Sequence, residues 1–350
     1  MGAHDPRAGK PVIRGNNRAP MKSKSHYPLD TAFELFFSVK KAEGMRERTL
    51  ADYQSHWRYF RDWLSESYDN ITLGEITQTV LREYLIYMSN GRTKYDGVDN
   101  RRLEGETLSP TTVAIRLRTL KTMFNFWAKE QMIDINPILN LKPPKKDDDE
   151  IGAFTDEQLR LLLSMPDTRS YAGYRDKVLM MLLADTGLRI NEALRLTTEH
   201  IDVKGRCVHL PAAMNKNRKP RIVPISSEVM RHVFDLVNEN KAYFDTHHIF
   251  VSNYGEPLKA DHFRKRLQQY GAKAGIEDQV RVSPHTFRHY FCKMYLLNGG
   301  DIFTLQRIVG HADIATTRKY IQMDDESVRI QHAQYTPLSR LGMSKIIKRR

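Results

Sequence analysis

His285-Thr286-Phe287-Arg288-His289, then Val309-Gly310-His311, then Tyr320 is the stretch on which the reading of this chain turns. Ser283-Pro284 in front of it has the form of a helix cap followed by proline at the first helical position. His285 and Arg288 therefore lie three apart on one helix face. A guanidinium matches phosphate geometry with paired donors and stays charged at working pH. An imidazole beside it can trade a proton near neutrality. Alone, a His-x-x-Arg-His string is a weak signal, more often structural than functional. His311 and Tyr320 downstream change the balance, since together the four side chains can hold a phosphodiester and present a phenol to it. Gly310 suits a sharp turn, after which His311 opens a short helix that carries Tyr320 near its end.

The rest of the chain is consistent with a polyanionic partner. The 350 residues carry a formal net charge of +13, and neutralising phosphates releases condensed counterions. A hydrophobic content of 40% suits a globular protein with room for two cores. No run approaches the ~20 apolar residues of a membrane span, so no membrane partner is expected. Cys207 and Cys292 are the only cysteines. They can form neither a disulfide framework nor a C-x-x-C metal motif, which reads as two structural thiols in a reducing cytoplasm. No cluster of His or carboxylates has ligand spacing, so no metal site is expected.

Working outward, the fold class expected is mainly α with a small antiparallel β-sheet, in two domains. Residues 1–27 are a basic flexible tail with six Lys or Arg against one Asp, free to touch DNA phosphate or simply to solvate. Residues 28–140 form a helical domain. Its first helix runs over 29–42 from Asp30. The second follows a Thr49 cap, with Leu50, Tyr53, Trp57, Phe60 and Leu64 inward. A third spans about 75–89, and a fourth starts at Ser109-Pro110. The glycine-bearing segment 91–107 between the last two is a loop or hairpin. Arg116, Arg118 and Lys121 remain on exposed surfaces of the fourth helix, as a solvated face or as contacts to a DNA backbone.

Residues 141–151, with Pro143-Pro144 and a block of charges, are a linker. The second domain, 152–325, restarts at a Thr155/Gln158 capping box. An apolar helix follows over about 174–185, then a Gly187 turn and another helix. Strands are expected from Val203 to Leu210 and from Arg221 to Ile225, flanking a polar turn at Asn215 to Lys219. Helices return at about 227–240, 260–274, 284–297, 301–309 and 313–322. Residues 326–350 are a C-terminal tail ending in apolar and basic residues.

These blocks resemble the tyrosine recombinases of the phage-integrase family, over about residues 29–325. Thr186-Gly187-Leu188-Arg189-Ile190-Asn191-Glu192-Ala193-Leu194 is similar to the family's first arginine box. Asn215-Lys216-Asn217-Arg218-Lys219-Pro220-Arg221 before Ile222-Val223-Pro224 resembles the hairpin that carries its lysine. Val309-Gly310-His311 through Tyr320 resembles its last box. The departures are Asn on both sides of Lys216 where glycine is frequent, Phe287 for leucine, and Val309.

The resemblance implies a catalytic set of Arg189, Lys216, His285, Arg288, His311 and Tyr320. In it Arg189 and Arg288 clamp the scissile phosphate, and oxyanion-directed charges of this kind contribute on the order of 100- to 1000-fold each. Tyr320 attacks phosphorus to give a 3′-phosphotyrosyl bond. Lys216 protonates the departing 5′-oxygen, with Lys219 a neighbouring competitor for that role. His285 assists proton transfer from the tyrosine, and His311 hydrogen-bonds the phosphate. His289 supports the site from behind. Glu192 either orients Arg189 or makes a surface ion pair. No cofactor and no metal enter this chemistry. The implied partner is double-stranded DNA, gripped by the two domains as a C-shaped clamp. A homo-tetramer forms on paired sites, and accessory DNA-bending proteins are possible additions. The alternatives are a DNA-binding regulator on the same fold without catalysis, and a resolvase- or topoisomerase-like enzyme with the same chemistry.

Overall fold

The structure, a computed structural model, describes residues 27–91, 107–145, 152–215 and 219–318, together with 329, 332, 333 and 335–337. The chain divides into two compact units, the first ending at Asp148 and the second beginning at Asp149. Among the described residues it is mostly helical, with one small sheet.

Unit 1 contains α1 (Leu29–Ala42), α2 (Glu47–Ser67), α3 (Gln78–Ile86) and α4 (Pro110–Lys129). The start of α4 follows from its first residues: Ser109 Oγ accepts the Thr112 N–H (3.3 Å) ahead of Pro110. The Thr49 cap expected for α2 is not used. The first helical bond runs from the Leu50 N–H to the Arg46 carbonyl (3.0 Å), so Thr49 lies inside the first turn. Glu47 occupies that turn, where a carboxylate suits the positive end of the helix. The third helix is shorter than expected. Its cap is Thr77, after a single 3-10 turn at Leu73–Glu75, and beyond Ile86 it opens into a π-helical turn over Tyr87–Gly91. The loop expected over 91–107 falls almost wholly outside the described residues.

Aromatic rings fill the centre of unit 1. Phe36, Trp57, Phe60, Tyr84, Phe124 and Trp127 are all buried, and Trp57, Phe124 and Trp127 meet edge to face at 5.0–5.6 Å. The Trp127 indole N–H donates to the Ala32 carbonyl (2.9 Å), tying α4 to α1. Arg116, expected on an exposed surface beside Arg118 and Lys121, is buried instead. Its guanidinium stacks on the Tyr59 ring, 4.2 Å from the centroid. Arg118 is exposed and Lys121 half-buried.

Unit 2 opens with α5 (Asp156–Ser164), whose Thr155/Gln158 capping box forms in both directions (3.0 and 3.2 Å). The apolar α6 (Tyr171–Thr186) runs through the core and packs against α10 (Pro284–Leu297). Around them lie α7 (Ile190–Ala193), α8 (Ser227–Tyr243), α9 (Ala260–Ala274), α11 (Ile302–Val309) and α12 (Ile314–Arg318). A buried polar cross-link holds α6 to α9: Arg175 donates twice to Asp176 Oδ1 (2.7 and 3.0 Å), and Arg266 and Tyr270 both donate to Oδ2.

The sheet has three antiparallel strands, β1 (Ile201–Asp202), β2 (Cys207–Leu210) and β3 (Arg221–Pro224), in that spatial order. The single strand expected from Val203 to Leu210 is therefore a turn and a strand. The Asp202 carboxylate accepts the Gly205 N–H (2.9 Å), and Arg206 adopts a left-handed φ of 48°, so the chain reverses before β2. Val208 pairs with Val223, and both are buried; Cys207 and His209 lie on the opposite face of β2.

Candidate active site

Two left-handed glycines set the site's frame. Gly187 (φ 61°) ends α6 and Gly310 (φ 67°) ends α11. A Cβ on Gly187 would stand 2.5 Å from the Phe291 ring, and one on Gly310 would stand 3.2 Å from the Arg221 side chain. Both positions need glycine for space as well as for φ.

The turns they make expose backbone carbonyls to the arginines. Arg288, on α10, donates to the Gly187 carbonyl (2.6 Å) and the Val309 carbonyl (2.7 Å). Arg189 follows the Gly187 turn directly; it reaches the Gly310 carbonyl (3.2 Å) and Glu192 Oε1 (2.8 Å). One buried arginine thus joins two turns that a second arginine also connects, and the two guanidinium groups face one region. Arg288 is buried, and that burial, with Arg189 second, lowers its pKa to about 10.

Glu192 is the counter-charge. It is buried at the start of α7, where its Oε2 also accepts the Arg189 N–H (3.0 Å) as a cap. Burial works to raise its pKa, but the hydrogen bonds and charges of Arg221 and then Arg189 outweigh this and hold it below the ordinary carboxylate value. The surface ion pair weighed for Glu192 is not what forms. Arg221 is a site residue that the sequence did not mark. From the first position of β3 it donates to both Glu192 oxygens (2.6 and 3.3 Å), to Asn215 Oδ1 and to the Ile308 carbonyl (2.9 Å). The one available signal was an arginine opening a strand whose next residues are apolar.

His311 follows Gly310, with its Nδ1 3.0 Å from Thr317 Oγ1. Burial and then Arg288 and Arg189 push its pKa down to about 4. His289 is lowered similarly, by burial first and then by His285 and Arg288. His285 stands exposed at the start of α10. Its pKa is also lowered, by desolvation of the ring and then by Arg288, Arg264 and Arg189. Lys216 and Tyr320 lie outside the described residues. Lys219 is described and exposed; its carbonyl accepts from Asn215 Nδ2 (2.6 Å) at the foot of the hairpin. Arg189, Asn215, Lys219, Arg221 and His311 all line one cavity of about 1110 Å³.

The electrostatic result is specific. Among the described residues, Arg189 and Arg221 share the Glu192 carboxylate, Arg288 beside them is held by two backbone carbonyls, and the nearby imidazoles are held neutral at pH 7. Such a site is short of negative charge.

Comparison with known proteins gives the chain's family. The phage integrase family matches residues 153–327, and the phage integrase SAM-like domain matches 31–143. The chain belongs to the phage integrase family. Its activity is that of a site-specific tyrosine recombinase, an enzyme. Among curated relatives it is 26% identical to the tyrosine recombinase XerD of Shewanella oneidensis, over 89% of this chain and 98% of that one. It is 28% identical to XerD of Staphylococcus aureus, over 88% and 99%. Its fold is similar to that of the Tn1549 transposon integrase in complex with a circular intermediate DNA, with a TM-score of 0.66, 19% identity and 87% and 99% of the two chains covered. It is also similar to XerH site-specific recombinase bound to a palindromic substrate, with a TM-score of 0.65, 19% identity and 86% and 84% covered. Among the described residues, no helix is long and apolar enough to cross a membrane.

Proposed function

We propose that this integrase-family member cuts and rejoins double-stranded DNA through a 3′-phosphotyrosyl intermediate, using Arg189, Lys216, His285, Arg288, His311 and Tyr320. The observation that carries this reading is the surplus of positive charge: among the described residues, Arg189, Arg221 and Arg288 stand together with Glu192 as the carboxylate paired to two of them. A phosphodiester supplies one negative charge, and the pentacoordinate transition state carries a second. The site therefore complements the transition state better than the substrate, which is the condition for acceleration.

In the forward step the Tyr320 oxygen attacks phosphorus, the bond to the 5′-oxygen breaks, and Lys216 donates a proton to that oxygen. Tyr320 gives up its own proton with help from His285, which is able to accept one because its lowered pKa keeps it neutral at pH 7. His311, neutral as well, is suited to hydrogen-bond a non-bridging oxygen. In the return step a 5′-hydroxyl from another strand attacks the same phosphorus and Tyr320 leaves, so no external energy source is required.

Residues 28–140 supply one DNA-binding unit and 152–325 the catalytic unit, joined by a linker at 141–151. Arg118 and Lys121 are candidates to meet backbone phosphate, whereas Arg116 serves mainly to shape the helix surface through Tyr59. The tails at 1–27 and 326–350 flank these units. The full reaction takes four copies on two paired sites in the cytoplasm, with accessory DNA-bending proteins as additional partners and a mobile element as the source of the sites.

The test is covalent trapping. A nicked duplex is made from the DNA flanking the coding region. The wild-type chain is expected to form a denaturant-stable adduct on it, and Tyr320→Phe none. An adduct that survives Tyr320→Phe, or wild-type relaxation of supercoils without joining of paired sites, overturns the proposal.

A further inference from the structure

We infer that Asp202, Cys207 and His209 form a binding site for a single zinc-class divalent cation, on the sheet that leads into the lysine hairpin. The register of the sheet assembles it. Asp202 pairs directly with Cys207 across β1 and β2, and His209 lies two residues along β2 on the same face. The resulting triangle has a Cys207 Sγ to His209 Nε2 edge of 3.6 Å, a Cys207 Sγ to Asp202 Oδ2 edge of 4.0 Å and a His209 Nε2 to Asp202 Oδ2 edge of 3.8 Å.

Tetrahedral zinc with ordinary bond lengths requires sulfur–nitrogen and sulfur–oxygen edges of about 3.6 Å and a nitrogen–oxygen edge of about 3.4 Å. The first edge already fits. The other two close with shifts of roughly 0.4 Å, within reach of side-chain torsions. The carboxylate is also oriented for this: the Gly205 N–H holds Oδ1 (2.9 Å) and leaves Oδ2 turned to the pair, the kind of outer support that metal ligands receive. Cys207 is buried while Asp202 is half-buried and His209 exposed, so an ion has a route in and water can take the fourth position.

On binding, the Cys207 thiol loses its proton to solvent and the thiolate bonds the metal, so affinity rises with pH. The ion would fasten β1 to β2 at the turn that separates them. The strand-transfer chemistry does not pass through it.

Cobalt(II) and zinc are the probes, added to the full chain after removal of bound metal. We expect one cobalt per chain, with thiolate-to-cobalt charge-transfer absorption in the near ultraviolet, displaced by zinc. Cys207→Ala abolishes that absorption and Cys292→Ala retains it. His209→Ala, at a position whose side chain is exposed, weakens zinc binding by about 10- to 100-fold. At one zinc concentration, zinc raises the thermal midpoint of the wild type by more than that of His209→Ala. Absence of a thiolate band in the wild type, or zinc affinity unchanged in His209→Ala, overturns the site.

Discussion

Replacing Glu192 with glutamine tests the charge balance on which the site is built. The substitution keeps the shape of the side chain but removes the one carboxylate paired with Arg189 and Arg221. It also turns an amide N–H₂ toward guanidinium N–H groups. Breaking a buried pair from one side costs about 3–5 kcal/mol, because the remaining charge is left without compensation. The lower end applies here. Arg221 is 7% exposed, but Arg189 keeps 23% of its side-chain surface in water and is partly screened. An expected loss of about 3 kcal/mol, with a urea slope of about 2 kcal/mol per molar, lowers the midpoint of unit 2 by about 1.5 M.

The chain provides its own control for this measurement. Its three tryptophans, Trp57, Trp63 and Trp127, all lie in unit 1. Tryptophan fluorescence therefore follows unit 1, while far-ultraviolet circular dichroism follows both units. The dichroism transition is expected to split or move, with the fluorescence transition staying in place. The effect also has a defined pH course. A carboxyl whose folded pKa is depressed stabilises above its unfolded value, and that stability is lost as pH falls through the folded one. The wild type and Glu192→Gln should therefore converge as pH falls below the ordinary carboxylate range, where Glu192, its native pKa held down by Arg221 and Arg189, takes up its proton. A midpoint shift under about 0.5 M at pH 7 would refute the role assigned to Glu192.

Three further outcomes are expected. Gly187→Ala meets both a left-handed φ and the Phe291 ring, for a combined cost of about 3 kcal/mol; Gly44→Ala, at φ 71° with open space around it, should cost only about 1 kcal/mol by thermal melting. Between about pH 6.5 and pH 4 the stability of unit 2 should fall as pH falls, since the unfolded chain protonates His289 and His311 before the native site does; the doubly substituted His289→Gln/His311→Gln chain should show a shallower slope, and an unchanged slope would reject the assignment. Trp127→Phe removes the indole bond to Ala32 and leaves a void among the rings, for a loss of about 2–3 kcal/mol read from the fluorescence of Trp57 and Trp63.

The sequence by itself determined what depends on near neighbours. Ser109-Pro110 and Ser283-Pro284 both begin helices. At the second, Pro284 opens the helix while Ser283 Oγ meets the Thr286 hydroxyl and makes no backbone cap bond. At the first the cap bond forms, since it involves only the next few residues. The Thr155/Gln158 box forms for the same reason, and the apolar spacing in α2 and α4 was enough to name much of the unit 1 core. The ordered boxes around Arg189, Arg288 and His311 were legible as a site because each has a local signature. Tertiary structure decided the partnerships across distance. Arg221 meets Glu192 from 29 residues away, and Arg288 reaches a carbonyl 101 residues before it. Arg116, polar by type and on the outward side by spacing, is buried because Tyr59 of another helix covers it. The Asp202 turn split a strand that alternation alone had drawn as one, and in doing so set Asp202 opposite Cys207. Hydrophobic period and capping are properties of a segment. Which charges share a carboxylate is a property of packing, since their energies are set by burial and by neighbours that only the folded chain supplies.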